Sequence, residues 1–296
     1  MKRFFIFFLV LSLALPSFSQ FRDNVNVSLF AGTYFAQQNT YNRGGWYGMY
    51  TEYMPIKTAG GLNLGFCAVA SQVSFNSQDS LNQYKGSSTD FGLGLAVGQY
   101  VEFLTHTYSG YFGASLMIKH SQDLGQGTTI IKPQNSVGRY SMQQKSKMLE
   151  GSININLLKS FGFRENLFPR TQLRLLWQKP LSGEGQSFWN NVPIKESNLW
   201  NKASYGVEFK QSLFQSGQFD LLFEPKLWGG YYHYVGDKSN WLAIGPEFAL
   251  KMRGWDDFLT FYFLVKKQVG EFELNLNSTQ FIFGFNFMPF NIKKYY

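Results

Sequence analysis

Charged side chains are sparse in this sequence, and the best candidates for chemistry recur at two-residue spacings. Arg170 and Arg174, then Glu208 and Lys210, then Asp220, Glu224 and Lys226, then Glu247 and Lys251 occupy four successive segments, each set keeping one parity. On a strand, residues of one parity share a face. Four adjacent strands would therefore present interleaved opposite charges along one wall. Such a wall has three uses: Arg174, Glu208, Lys226 and Glu247 pair with one another because buried ions need partners, or the charges form a polar constriction that selects small ionic solutes, or they bind a segment of a partner.

The inventory for catalysis is thin. Of the three histidines, His106 falls on an expected short turn, while His120 and His233 fall near the rim of the expected array. His120 has Ser121 beside it and Ser146 near the neighbouring strand. A histidine with a serine nucleophile is the minimum for a hydrolase, so a lipid hydrolase with a rim histidine stands as the alternative to a non-enzymatic role. No two histidines have a spacing that suits a metal on a strand, so no metal site is expected. Gly92 to Gly98 alternate within a strand and open no helix, which removes a phosphate-loop reading and leaves no cofactor motif.

The elements that must position these residues follow from alternation. From Phe91 to Phe103 the odd positions are Phe, Leu, Leu, Val, Gln, Val and Phe, and the even ones are mostly glycine or alanine. Phe281, Phe283, Phe285 and Phe287 repeat the pattern near the C-terminus. Applied throughout, the rule predicts twelve strands, near 24–35, 46–55, 62–75, 89–103, 109–120, 147–158, 168–178, 201–214, 218–234, 241–252, 257–267 and 278–289. Long connections are expected at Asn76–Ser88, Ser121–Ser146 and Lys179–Trp200, and mostly tight turns at the other end. The Ser121–Lys147 stretch carries Lys132, Arg139, Lys145 and Lys147 against Asp123, a basic surface for phosphate groups of lipopolysaccharide or for a neighbouring protein. The Lys179–Trp200 stretch holds Phe188, Trp189 and Trp200 and is expected to plug the mouth or to dock a partner.

Composition decides which face looks outward. Charged residues make up 16% of the 296 residues and aromatics 19%, while mean hydropathy is −0.20. A soluble sheet would carry Lys and Glu on its polar face. Here that face is Gly, Ala, Ser, Asn, Gln and Tyr, whereas Val25, Leu29, Phe66, Leu116, Ile118, Ile153, Leu175, Val207 and Phe261 make the other face bulky and apolar. So much apolar surface suits lipid, where a closed sheet satisfies every backbone polar group. The small face of the strands at 89–103 and 109–120 predicts a bore left open along that wall. Tyr34, Tyr53, Phe103, Trp177, Tyr231, Trp241 and Trp255 are expected to form interfacial girdles.

Lys2 and Arg3 precede the apolar run Phe4–Leu15, and Ser17 and Ser19 follow, which reads as a cleaved signal peptide at 1–19 with the barrel at 20–296. Without Lys2 and Arg3 the formal charge falls from +8 to +6, with no basic run of the kind that binds nucleic acid. Cys67 is the single cysteine, so no internal disulfide can form.

Alternation, loop asymmetry and the terminal phenylalanine ladder make the chain resemble the outer-membrane β-barrel proteins of Gram-negative bacteria from Asn24 onward. Its aromatic-rich style is similar to small barrels of the bacteroidete lineage, without a specific family motif. The resemblance implies an all-β, transmembrane, antiparallel up-and-down barrel in the cell outer membrane, contacting outer-membrane lipid and lipopolysaccharide. It would act as a narrow channel or as a barrel subunit among other envelope proteins. Asn291 to Tyr296 depart from the pattern by continuing past the ladder.

Overall fold

The structure, a computed structural model, describes residues 25–37, 41–78, 81–103, 108–131, 136–157, 170–194, 203–218, 221–235, 239–252, 255–269 and 279–290. The expected signal peptide, His106, Lys132, Trp200 and Asp220 lie outside these residues.

Long antiparallel strands follow one another around a closed wall: β1 (Val25–Gln37), β2 (Tyr41–Lys57), β3 (Leu62–Gln78), β4 (Asn82–Phe103), β5 (Tyr108–Ile131), β6 (Ser136–Leu157) and β7 (Thr171–Trp189). The short β8 (Val192–Ile194) then turns back along the end of β7. β9 (Ser204–Ser212) pairs with β7 and with β11 (Leu221–Tyr234), and the short β10 (Ser216–Gln218) folds onto the foot of β11. β12 (Ser239–Met252), β13 (Trp255–Val269) and β14 (Thr279–Phe290) complete the circuit. β14 pairs with β1 from Val27↔Phe290 to Ala36↔Gln280, closing a barrel of twelve staves. Closure leaves no free edge within the ring, which is the condition for a sheet to sit in hydrocarbon.

The apolar face is outside. Phe66, Leu93, Leu95, Ile118, Ile153, Phe209, Ile244 and Phe261 are all exposed, Leu95 at 62%, whereas Glu224, Lys226 and Glu247 are buried to 0%, 1% and 2%. A water-soluble barrel would show the reverse. Val25 is an exception, buried at 5%.

Four expectations need correction. The stretches expected as loops at Asn76–Ser88, Ser121–Ser146 and Lys179–Trp200 are largely strand: β4 and β6 run for 22 residues, β5 for 24 and β7 for 19. A tilted strand needs about 9–11 residues to cross a bilayer. β4 to β7 therefore stand well beyond the membrane as a sheet, and β7 ends in a turn whose Asn190 and Asn191 have φ of 49° and 67°. Asparagine is one of the few residues that tolerate this conformation. Phe188 and Trp189 thus pair with Ser141 and Tyr140 in that sheet rather than plugging the mouth. Two of the expected girdle residues, Tyr34 and Trp241, face the bore instead, Tyr34 stacking on Trp46 and Trp241 standing over Lys266.

The wall expected to be open is covered. The Tyr111 ring lies where a Cβ on Gly98 would go, and Met117 does the same at Gly94. Met54, Cys67, Ala96 and Met117 form a small apolar cluster inside the bore, flanked by Tyr50 and Val69. Glycine on one strand admits a ring from the next, so small residues mark filled space here.

Candidate functional site

Parity along β7, β9, β11 and β12 carries the expected charges to the bore, where register brings them together. Arg174 lies opposite Glu208 and Lys226 opposite Glu247. Arg174 Nη1 is 3.7 Å from Glu208 Oε2, and Lys226 Nζ is 3.4 Å from Glu247 Oε1. Glu247 also accepts from Lys210 Nζ at 2.5 Å. Glu224, fully buried, lies 2.6 Å from Lys251 Nζ and 3.7 Å from Lys226 Nζ, and accepts from the hydroxyl of Ser212 and from Gln215 Nε2. Tyr232 donates to Glu208 at 2.8 Å, and Lys210 stands 4.2 Å over the Trp228 ring. Arg170, buried at 5%, sits at the foot of β7, its carbonyl accepting from Ser212 N and Gln211 Nε2. Arg174 is the member most open to the bore, its side chain 49% exposed.

A second set, on β2, β4, β5 and β6, was not among the charges placed in the bore from the sequence. Lys119 Nζ bridges Asp90 at 3.4 Å and Glu150 at 3.0 Å. Glu52 accepts from the Tyr50 hydroxyl at 2.6 Å, and Asp123 is buried further along β5. The signal was present, since Asp90 shares parity with Gly92 and Lys119 with Ser115. On β13, Lys266 Nζ sits 5.1 Å from the Tyr232 and Trp241 rings and 5.5 Å from Tyr234, a cation held by aromatic faces.

Taken together, the described inward charges divide by sector. From β7 to β13, Arg170, Arg174, Lys210, Lys226, Lys251 and Lys266 outnumber Glu208, Glu224 and Glu247 by three. From β2 to β6, Glu52, Asp90, Asp123 and Glu150 outnumber Lys119 by three. Among the described residues, the inward charges balance and are divided across the width of the bore.

The histidines do not assemble a nucleophilic site with the nearby serines. His120 lies opposite Lys147 on the exposed outer face, while Ser121 and Ser146 are buried on the inner one. His233 Nδ1 lies 2.5 Å from Asn240 Oδ1, and its ring stacks beside Tyr205. Lys145 and Arg139 point outward from β6, exposed. Among the described residues, no three His, Cys, Asp or Glu side chains gather as metal ligands.

No protein-family model matches the chain, and no curated protein matches it. Solved structures do. The translocator domain of the autotransporter NalP from Neisseria meningitidis superposes with a TM-score of 0.52 at 8% identity, over 97% of this chain and 96% of that one. The beta domain of the Bordetella autotransporter Brka matches at 10% identity and TM-score 0.45, over 89% and 98% of the two chains. The transport unit of the autotransporter AIDA-I from Escherichia coli matches at 9% identity and TM-score 0.42, over 95% and 94%. With closure, face inversion and strand count on the same side, the chain has the fold of an outer-membrane β-barrel, with no specific family.

Proposed function

We propose that the chain resides in the outer membrane and acts as a narrow channel for small polar or ionic solutes. The observation that supports this most is the divided bore. Keeping eight or more ionised groups inside a barrel costs desolvation energy that an apolar filling would avoid, and charged walls are how pores discriminate among ions. The Arg174–Glu208 pair on one wall and the Lys119–Glu150 pair on the other are the groups a passing ion would meet. In planar bilayers the protein is expected to give small unitary conductances. Arg174→Gln, which removes a cation, should shift the reversal potential in a salt gradient towards cation preference; Glu150→Gln should shift it the opposite way. A silent bilayer, or two shifts of the same sign, would overturn the reading.

One observation favours a second reading, a barrel subunit of an envelope assembly. Beyond the membrane the outer face of β5 and β6 exposes Leu124, Ile130 and Val137, between 40% and 56% accessible. Apolar side chains in such a place mark protein-docking surfaces. Mild-detergent purification from the native host should then bring down a stoichiometric partner that is lost from a Leu124→Asp, Val137→Asp variant. Recovery of the barrel alone would reject this role.

A further inference from the structure

Charges facing the bore have partners; a set facing the other way has none among the described residues. On the outer faces of β5, β6 and β7, His120 lies opposite Lys147, Gln122 opposite Lys145, and Leu149 opposite Lys179. All three lysines are exposed, and no described carboxylate makes an ion pair with any of them, although Glu184 is the register partner of Lys145. Lys145 and Lys147 are separated by about 7 Å of strand, and Lys179 is a diagonal neighbour of Lys147 at about 7–8 Å.

Their height on the wall is informative. Lys179 shares its row with Leu93, Ile118 and Leu149, and the next outward rows towards the chain termini are Leu95, Leu116 and Trp177, then Val97, Ile153 and Leu175. Thr89, Gln122 and Glu184 share the row of Lys145, and the next row away from the termini is Ser87, Leu124, Gln143 and Gln186, with a single apolar member. The lysines therefore sit where the apolar belt stops. Like charges side by side on a sheet repel, and basic clusters beside membrane-spanning segments read as sites for anionic lipid headgroups.

We propose that Lys145, Lys147 and Lys179 hold the phosphate groups of lipopolysaccharide, a glycolipid whose headgroup carries more than one phosphate. Three ammonium groups within reach of one another match several phosphates on a single headgroup better than the lone phosphate of an ordinary phospholipid. The leaflet also fits, because the cluster lies at the barrel end opposite both termini, which in outer-membrane barrels faces outward. The site requires the barrel to lie in the outer membrane and does not require the bore to conduct.

Native mass spectrometry of the full-length barrel in mild detergent tests this with three probes: bisphosphorylated lipid A, the same lipid after phosphatase treatment, and phosphatidylglycerol. The wild type should retain lipid A and release the other two. A Lys145→Gln, Lys147→Gln, Lys179→Gln variant should lose lipid A retention by tenfold or more, while Lys57→Gln, an exposed cation at the opposite end, should not. Replacing exposed side chains leaves the heat-modifiable gel mobility of a folded barrel intact, which certifies the variant. Equal retention by the triple variant, or equal retention of phosphatidylglycerol or of the phosphatase-treated lipid by the wild type, overturns the proposal. Conductance in bilayers is read separately and is untouched by either result.

Discussion

Leu95→Arg is expected to keep most of the protein from refolding into lipid vesicles. Leu95 is in the middle of the outward run Val97, Leu95, Leu93 and Phe91, 62% exposed and with no side chain above it to shield a charge. An arginine on the lipid face at the bilayer midplane costs about 2–4 kcal/mol. At an exposed position in water the same change stays within about 0.5 kcal/mol. The effect thus separates the two solvents cleanly. Urea titration of the vesicle-bound, heat-modifiable form should show the loss, and Leu95→Phe should behave as wild type. Refolding of Leu95→Arg at wild-type yield would mean that the apolar face does not meet acyl chains.

A loss of comparable size is expected from the opposite face. Glu224 is fully buried and is the acceptor for Lys251, Ser212 and Gln215. Glu224→Gln removes the charge and leaves the Lys251 and Lys226 ammonium groups facing an amide. Removing one partner of a buried pair typically costs about 3–5 kcal/mol, because the remaining charge keeps its desolvation penalty. The melting temperature of the barrel in detergent should fall accordingly. Glu224→Met combined with Lys251→Met should recover much of the loss, since an apolar pair of similar volume carries no stranded charge. If Glu224→Gln melts with the wild type, the inner network is not desolvated and the bore is wetter than its packing implies.

The wall and its two faces were legible because lipid imposes contrast. Where strands cross the belt, bulky apolar residues alternate with small or polar ones, so Phe91 to Phe103 and Phe281 to Phe287 announce both strand and orientation. Outside the belt the contrast disappears. Ser121 to Gln126 alternates one polar residue with another around a single leucine, so the outer halves of β5 and β6 read as loop although they pair from Ser121↔Ser146 to Ile131↔Ser136. That Arg174, Glu208, Lys226 and Glu247 share the inner face could be read by parity alone. The filling of Gly98 by Tyr111 could not, because it depends on register between two strands, which parity within one strand does not supply. The register shift at Lys147/Met148 hid a further detail, placing both Lys179 and Glu184 on the outer face despite their opposite parity.

The unequal strand lengths give the barrel an uneven rim. Along β4 to β7 the wall rises as a parapet, whereas β11 stops at Tyr234 and β12 begins at Ser239. Among the described residues, the rim is a tall screen on one flank and a low sill on the other. At that sill the described inward groups include Tyr234, Trp241 and the ring-bound ammonium of Lys266. For the channel proposed above, entry would be lateral and oriented, with a positive, aromatic threshold encountered before the acidic wall behind the screen.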